Sequence, residues 1–179
     1  MSKSIKNGRI VNDDWQILTV AEGEDAAGIS IPAGRVIVPL AAWLSRRDEL
    51  AARGDVGVWF ASHEGPEALE ADIGRVAVIA VNFPKFVDGR GYSTAALLRT
   101  RYGYSGQLIA FGDVLRDQFN YLMRCGFDTL RPREGRYDDA QLDAALTSLA
   151  DFTEPYQASV VHPQPLFRRV ARAGVQVKA

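Results

Sequence analysis

The sequence contains little of what metal, disulfide and haem proteins are built from. Its 179 residues include one cysteine, Cys125, and two histidines, His63 and His162. An internal disulfide and an all-cysteine zinc or iron–sulfur site are therefore excluded within this chain. Two histidines with no ligand spacing between them do not indicate a metal site. We expect no metal, and we interpret Cys125 as a structural, partly buried thiol.

An excess of positive charge is also missing. Lysine and arginine total 21 against 22 acidic residues, for a formal net charge of −1. No overall cationic field draws the chain to nucleic acid or to an anionic membrane surface, so neither is expected as a partner. The sequence has no apolar run of the roughly 18 residues that a membrane span needs, and its first residues lack the apolar stretch of a signal peptide. We therefore expect a cytoplasmic protein.

The chain does have enough apolar residues, 47%, for a core of its own. Strand-like and helix-like patterns alternate about five times, which predicts an α/β fold with right-handed β-α-β crossovers. The sequence leaves two architectures open: an open, mostly parallel sheet, or half-barrel-like β-α repeats. We expect one α/β domain, in which residues 1–34 form an N-terminal β appendage, 35–162 the repeated units and 163–179 a tail.

Local patterns mark individual elements of this fold. Asn7-Gly8 between short apolar runs predicts a two-residue hairpin turn at the N-terminus. Residues 76–81 are apolar throughout, which is typical of a strand covered on both faces. The period of the apolar residues predicts a helix over 114–124. The apolar residues at 158–161 predict a final strand.

Polar and charged residues follow the predicted strands, where ligands of parallel sheets collect. The richest segment runs from Asn82 into a predicted helix near Ser93. Its cations and glycines suit a phosphate, a carboxylate or a sulfur oxyanion at a helix N-terminus. The predicted anion-binding residues are Lys85, Gly89, Arg90, Gly91 and Ser93.

A structural interpretation of the same segment is equally open. Asp88-Gly89 then forms an ordinary turn, Asp88 pairs with Arg90, and Ser93 caps the helix. Asp88 and Asp113 are candidates for a general base, while Asp113 also fits the N-cap of the helix at Val114.

The other strand ends contribute His63 and His162, which we expect at the same rim as this segment. No cofactor is predicted from motifs, since Gly89-Arg90-Gly91 lacks the third glycine of the dinucleotide fingerprint and no phosphate-binding loop sequence is present.

Several segments resemble an uncharacterised bacterial family, domain of unknown function 934. The resemblance covers nearly the whole chain and depends on residues 34–40, 82–93, 110–118 and 124–128. The positions that match the recurring motif, to which the family assigns no catalytic role, are Phe83, Pro84, Lys85, Phe86, Asp88, Gly89, Arg90, Gly91, Ser93, Gly112, Asp113, Asp117 and Gln118.

The resemblance implies a role in assimilatory sulfate and sulfite reduction, because genes of this family commonly lie beside the genes of that process. It implies an accessory protein that binds sulfite reductase or an oxyanion. Two alternatives remain: a small enzyme that acts on an anionic metabolite through Lys85 and Arg90, with Asp88 or Asp113 as base, or an oxidoreductase with a bound cofactor.

Overall fold

The computed structural model describes residues 2–20, 25–151 and 153–169. The strands in this part of the chain are β1 (Ser2–Lys6), β2 (Arg9–Asp13), β3 (Gln16–Ile17), β4 (Val36–Pro39), β5 (Val56–Phe60), β6 (Val78–Phe83), β7 (Gln107–Gly112) and β8 (Thr129–Pro132). The α-helices are α1 (Leu40–Ser45), α2 (Arg47–Arg53), α3 (Arg90–Thr100), α4 (Phe119–Arg124), α5 (Asp139–Thr147) and α6 (Leu166–Arg169). No helix in these ranges is long and apolar enough to cross a membrane.

All eight strands belong to one sheet, in the order β2-β1-β8-β7-β6-β5-β4-β3. The strands from β3 to β8 are mutually parallel, while β1 runs antiparallel to both β8 and β2. The mostly parallel α/β sheet predicted from the sequence is therefore confirmed.

The N-terminal hairpin is confirmed as well. β1 and β2 are joined by Asn7 and Gly8, whose φ angles are 49° and 71°. A two-residue turn that follows the right-handed twist of its strands needs positive φ at both positions, which asparagine and glycine tolerate best. β1 continues the main sheet, because Ile5 and Lys6 pair with Leu130 and Thr129 of β8.

The sheet is curled, because its two outermost strands are close in the chain. β2 ends at Asp13 and β3 begins at Gln16, yet these strands lie at opposite ends of the strand order. Three steps between consecutive Cα atoms span at most about 11 Å, so the two outer strands must approach each other. Arg131 of β8 adds to the closure by donating a 2.7 Å hydrogen bond to the Trp15 carbonyl. Of the two predicted architectures, the half-barrel-like one is correct.

Both faces of the sheet are apolar, because successive side chains of a strand point to opposite faces. The outer face packs against the helices and includes Val38, Val58 and Val81, with Trp43 and Leu98 from the helical layer. The inner face forms a separate cluster, whose buried members are Ile37, Val78, Ala80, Ile109 and Phe111.

Two predicted elements are wrong in part or in whole. The helix expected over 114–124 begins only at residue 116, as a 3-10 turn (Arg116–Gln118) followed by α4. Residues 158–161 form no strand, and Val160 makes a backbone hydrogen bond to Arg124 instead. The apolar pattern there reflects packing of an irregular segment against the end of α4.

Candidate functional site

The carboxyl ends of the parallel strands meet at one edge of the sheet, called here the carboxyl edge. Hydrogen bonds join the segments that follow four of these strands. Arg90, after β6, donates to the Ser62 hydroxyl after β5 at 2.9 Å. Asp113, after β7, accepts from the Phe86 amide, and Arg133, after β8, donates to the Pro84 carbonyl. These segments converge because parallel strands end on the same side.

The centre of this edge is a tight turn, residues 85–88, called the tip turn. The Asp88 amide donates to the Lys85 carbonyl at 3.0 Å, which places Phe86 and Val87 at the two central positions. The residues Phe86 and Val87 are 45% and 83% exposed. The turn therefore presents two apolar side chains to solvent, beside the exposed Lys85.

One side of the tip turn is held by the segment after β7. The Asp113 carboxylate accepts from the Phe86 amide at 3.0 Å, and the Gln118 side chain donates to the Phe86 carbonyl at 3.3 Å. Gln118 is itself fixed, because its amide oxygen accepts from the Leu115 backbone at 2.9 Å. Both polar backbone groups of Phe86 are therefore satisfied by side chains from elsewhere in the chain. Asp113 holds this turn and does not cap a helix at Val114.

The other side of the turn is held by an ion pair. Arg90 donates from Nε and Nη2 to the two carboxylate oxygens of Asp88, at 2.9 and 2.7 Å. The hydrogen bond from Arg90, followed by that of Ser62, holds the pKa of Asp88 well below its usual range, and the same pair raises the pKa of Arg90. A carboxylate held in this way is a weak proton acceptor near neutral pH. An incoming anion would compete with Asp88 for Arg90.

The glycines of this segment serve the packing of the sheet. A Cβ on Gly91 would lie 2.7 Å from the Phe83 ring, so glycine lets the start of α3 pack closely on β6. Gly112, with φ +103°, would place a Cβ 2.5 Å from the Phe83 carbonyl oxygen. Gly89 has an ordinary φ of −88° and precedes the first residue of α3.

The other members of the predicted anion site differ in their surroundings. Ser93 is exposed and lies within the first turns of α3, whose first residue is Arg90, so it does not cap the helix. Lys85 has no carboxylate partner among the residues that the structure describes. The predicted anion site stays a prediction. Its residues are Lys85, Gly89, Arg90, Gly91 and Ser93, and Arg90 already forms an ion pair with Asp88.

The two histidines do not share a rim. His63 follows β5 at the carboxyl edge, whereas His162 lines a cavity with Gly126 and Asp128, which precede β8 at the opposite edge. Within the described ranges, no three His, Cys, Asp or Glu side chains are grouped to hold a metal ion. Cys125 is partly buried, as predicted, and its burial raises the pKa of the thiol.

Sequence reasoning did not assign a role to two side chains that hold the tip turn and the residue before it. Gln118 lies 32 residues from Phe86, and Arg133 lies 49 residues from Pro84. The family resemblance marked Gln118 as a motif position, and Arg133 stood at a predicted strand end. A local pattern gives no signal for such contacts, because they depend on which strands are neighbours in the sheet.

The fold and this edge define an α/β protein with a curled, mostly parallel sheet and a loop held by side-chain hydrogen bonds at the carboxyl ends of its strands. Comparison of the sequence with known families matches residues 57–167 to the family described as bacterial protein of unknown function (DUF934). The match covers more than half of the chain, and the protein belongs to this family. Neither the curated proteins nor the solved structures provide a match.

Proposed function

We propose that this protein is an accessory protein of assimilatory sulfate and sulfite reduction, and that it binds sulfite reductase through the tip turn. The association with sulfite reduction comes from the family resemblance. The observation that supports a binding role is the exposure of Phe86 and Val87 on a turn held by hydrogen bonds on both sides. Exposed apolar side chains grouped in this way commonly mark a protein interface.

The rigidity of the turn favours binding. Association costs free energy when a loop must be ordered, and a loop that is already fixed avoids much of this cost. Here Asp113 and Gln118 fix the backbone of Phe86, while Arg90 fixes Asp88 at the end of the turn. Phe86 is thus suited to act as an anchor that enters an apolar pocket of the partner.

The charges of the edge favour this role over catalysis. Asp88 and Arg90 neutralise each other, and one oxygen of Asp113 accepts from a backbone amide. Their contacts stabilise the shape of the loop. Asp88 is poorly suited to act as a general base, because Arg90 lowers the pKa of its carboxyl away from neutrality.

Binding to purified sulfite reductase tests the proposal directly. We expect the double variant Phe86→Ser, Val87→Ser to bind about tenfold more weakly or worse, because a buried aromatic anchor commonly carries that much of the affinity. The matched control is Val161→Ser, Phe167→Ser, which removes two side chains that are 57% and 55% exposed in the C-terminal segment. The control should bind like the unmodified protein.

Two results would contradict the proposal. One is the absence of any complex between the unmodified protein and sulfite reductase, either with purified components or on co-purification from a native lysate. The other is normal growth on sulfate of a strain that lacks the gene.

A second candidate is a small enzyme that acts on an anionic metabolite. The ammonium of Lys85 favours it, because this lysine has no carboxylate partner within residues 2–20, 25–151 and 153–169. Calorimetric titration with sulfite, sulfate and phosphate tests this candidate. Binding that is lost in Lys85→Ala and Arg90→Ala would support it, and unchanged binding in both variants would contradict it. The third alternative is an oxidoreductase with a bound cofactor, and an absorbance spectrum of the purified protein would reveal a bound flavin.

A further inference from the structure

A cavity of about 680 Å³ opens at the amino edge of the sheet, which is the edge opposite the tip turn. Its wall includes the first residues of three parallel strands, Val78, Gln107 and Thr129. Lys6 at the end of β1 and Trp15 from the link between the outer strands complete one side. The volume lies within the range of about 300–1,000 Å³ that is common for small-molecule sites.

Most charges around this cavity are already compensated. Arg35 pairs with Asp14 at 2.7 Å, and Arg53 pairs with Asp55 at 2.9 Å. The Asp13 side chain is only 4% exposed, and its carboxylate accepts from the Ser4 hydroxyl and the Trp15 amide. The carboxylates of the wall therefore have donors of their own and do not require a cationic ligand.

Lys6 is different, because its hydrogen-bond partner is neutral. Its ammonium donates to the Gln107 side-chain oxygen at 3.0 Å, and the Gln107 amide nitrogen donates to the Thr129 hydroxyl at 3.1 Å. Lys6 is partly buried and forms no ion pair with a carboxylate in residues 2–20, 25–151 or 153–169. An ammonium has three N–H donors, and the described part of the chain accepts one of them, which leaves two for a ligand.

We propose that this amino-edge cavity binds a small anion, a carboxylate or an inorganic oxyanion, with Lys6 as its charged partner. The carboxylates of the wall are paired with arginines, so the anion supplies the negative partner for Lys6 and accepts from its remaining N–H donors. The hydrogen bonds from Lys6 to Gln107 and from Gln107 to Thr129 hold the ammonium in place before the anion binds. This site is independent of the tip turn and of the proposed partner.

The indole N–H signals of the three tryptophans provide the test in an NMR titration with acetate, sulfate and inorganic phosphate at constant ionic strength. Trp15 lines the cavity, whereas the Trp43 and Trp59 indoles donate to Asp72 and to the Leu18 carbonyl and serve as references. We expect at least one anion to shift the Trp15 signal saturably. In Lys6→Gln the affinity should fall about tenfold or more, since a hydrogen bond to a charged group is lost.

Two further variants test whether Lys6 is the charged partner of the anion. Lys6→Arg keeps the positive charge and should retain saturable binding. Lys85→Gln removes a lysine that also lacks a carboxylate partner among the described residues, but at the other edge, and it should titrate like the unmodified protein.

Three outcomes would overturn the proposal. These are the absence of a saturable Trp15 shift with all three anions, equal binding by Lys6→Gln and the unmodified protein, and loss of binding in Lys85→Gln. If Lys6→Gln does not fold, the Trp15 titrations of the unmodified protein and of Lys6→Arg decide the question.

Discussion

The two edges of the curled sheet use their charged side chains differently. At the carboxyl edge, Asp113, Arg133 and Gln118 bond to backbone groups of the loop after β6 and fix its shape. At the amino edge, Arg35 and Arg53 bond to neighbouring carboxylates and leave an open cavity beside Lys6. The first edge exposes a turn that hydrogen bonds hold in place, and the second contains a cavity lined by polar side chains.

This difference concerns the edge at which parallel α/β sheets usually bind their ligands. Ligands of parallel α/β sheets usually collect at the carboxyl ends of the strands, where loops and helix N-termini converge. In this protein the loops at those ends are largely bonded to one another. At the other edge, Lys6 lines a wide cavity and has no carboxylate partner among the described residues. The hydrogen bonds of each edge therefore indicate which of its groups are available to a ligand.

The largest effect is expected from Gly112→Ala at the carboxyl edge. The substitution combines a positive φ with a Cβ only 2.5 Å from the Phe83 carbonyl oxygen, and we expect it to lower the free energy of unfolding by about 3 kcal/mol. Gly135→Ala is the matched control, because Gly135 also has a positive φ, +74°, but has open space around it. Urea unfolding should show a loss of about 1 kcal/mol for the control, and equal losses would contradict the close approach to Phe83.

Asp13→Ala should have the next largest effect and tests how the amino edge is closed. The carboxylate is almost fully buried and accepts from Ser4 and from the Trp15 amide, so its removal should cost about 2 kcal/mol. Asp14→Ala removes the neighbouring carboxylate, whose ion pair with Arg35 is exposed, and should change stability by about 0.5 kcal/mol or less. Thermal unfolding of both variants checks the order, and a larger loss for Asp14→Ala would contradict it.

Asp113→Ala is expected to have a smaller effect, confined to the tip turn. It leaves the Phe86 amide without its acceptor, which should cost about 1 kcal/mol. Hydrogen exchange of the Phe86 amide should become faster, while exchange in β7 stays slow. Asp113→Asn keeps an acceptor oxygen and should restore most of the protection. Unchanged exchange in Asp113→Ala would show that the turn does not depend on this side chain.

The smallest effect is a pH dependence that comes from Asp88. Because Arg90 lowers the pKa of this carboxylate in the folded protein, the pair adds stability above about pH 4, the usual pKa region of aspartate in an unfolded chain. This contribution should disappear as the pH falls toward the lowered pKa. The melting temperatures of the unmodified protein and Asp88→Asn should therefore differ most above about pH 4 and converge in acid. A constant difference across this range would contradict the stabilising role of the pair.

Much of the fold could be predicted, because the relevant patterns are local. Asn7-Gly8 is suited to its hairpin turn by backbone sterics. The continuous apolar run at 76–81, which overlaps β6, predicts a strand buried on both faces. The strand predicted at 158–161 is wrong, because a short apolar run packs equally well as a strand or as an irregular segment. Its real partner, Arg124, is far away in the sequence.

The position of the candidate site could be predicted from the sequence, but most of the contacts within it could not. Parallel strands bring their carboxyl ends together, which correctly predicts that the segments around Ser62, Arg90 and Asp113 meet. The pairing of Asp88 with Arg90 was one of two open interpretations, because residues two apart in a turn can reach each other. The contact of Asp113 with Phe86 could not be derived, since it requires the register between β6 and β7.

The sequence by itself determined the α/β class, the hairpin at Asn7-Gly8 and the strand ends where charged residues collect, because each depends on periodicity or on the backbone preferences of a few adjacent residues. Only the tertiary structure decided that the sheet curls and that Arg90 forms an ion pair with Asp88. It also decided that Lys6 lines a cavity and donates a hydrogen bond to a neutral side chain, Gln107. These features arise from contacts between distant segments. Which donor meets which acceptor there is set by strand order and register, and these are properties of the whole sheet.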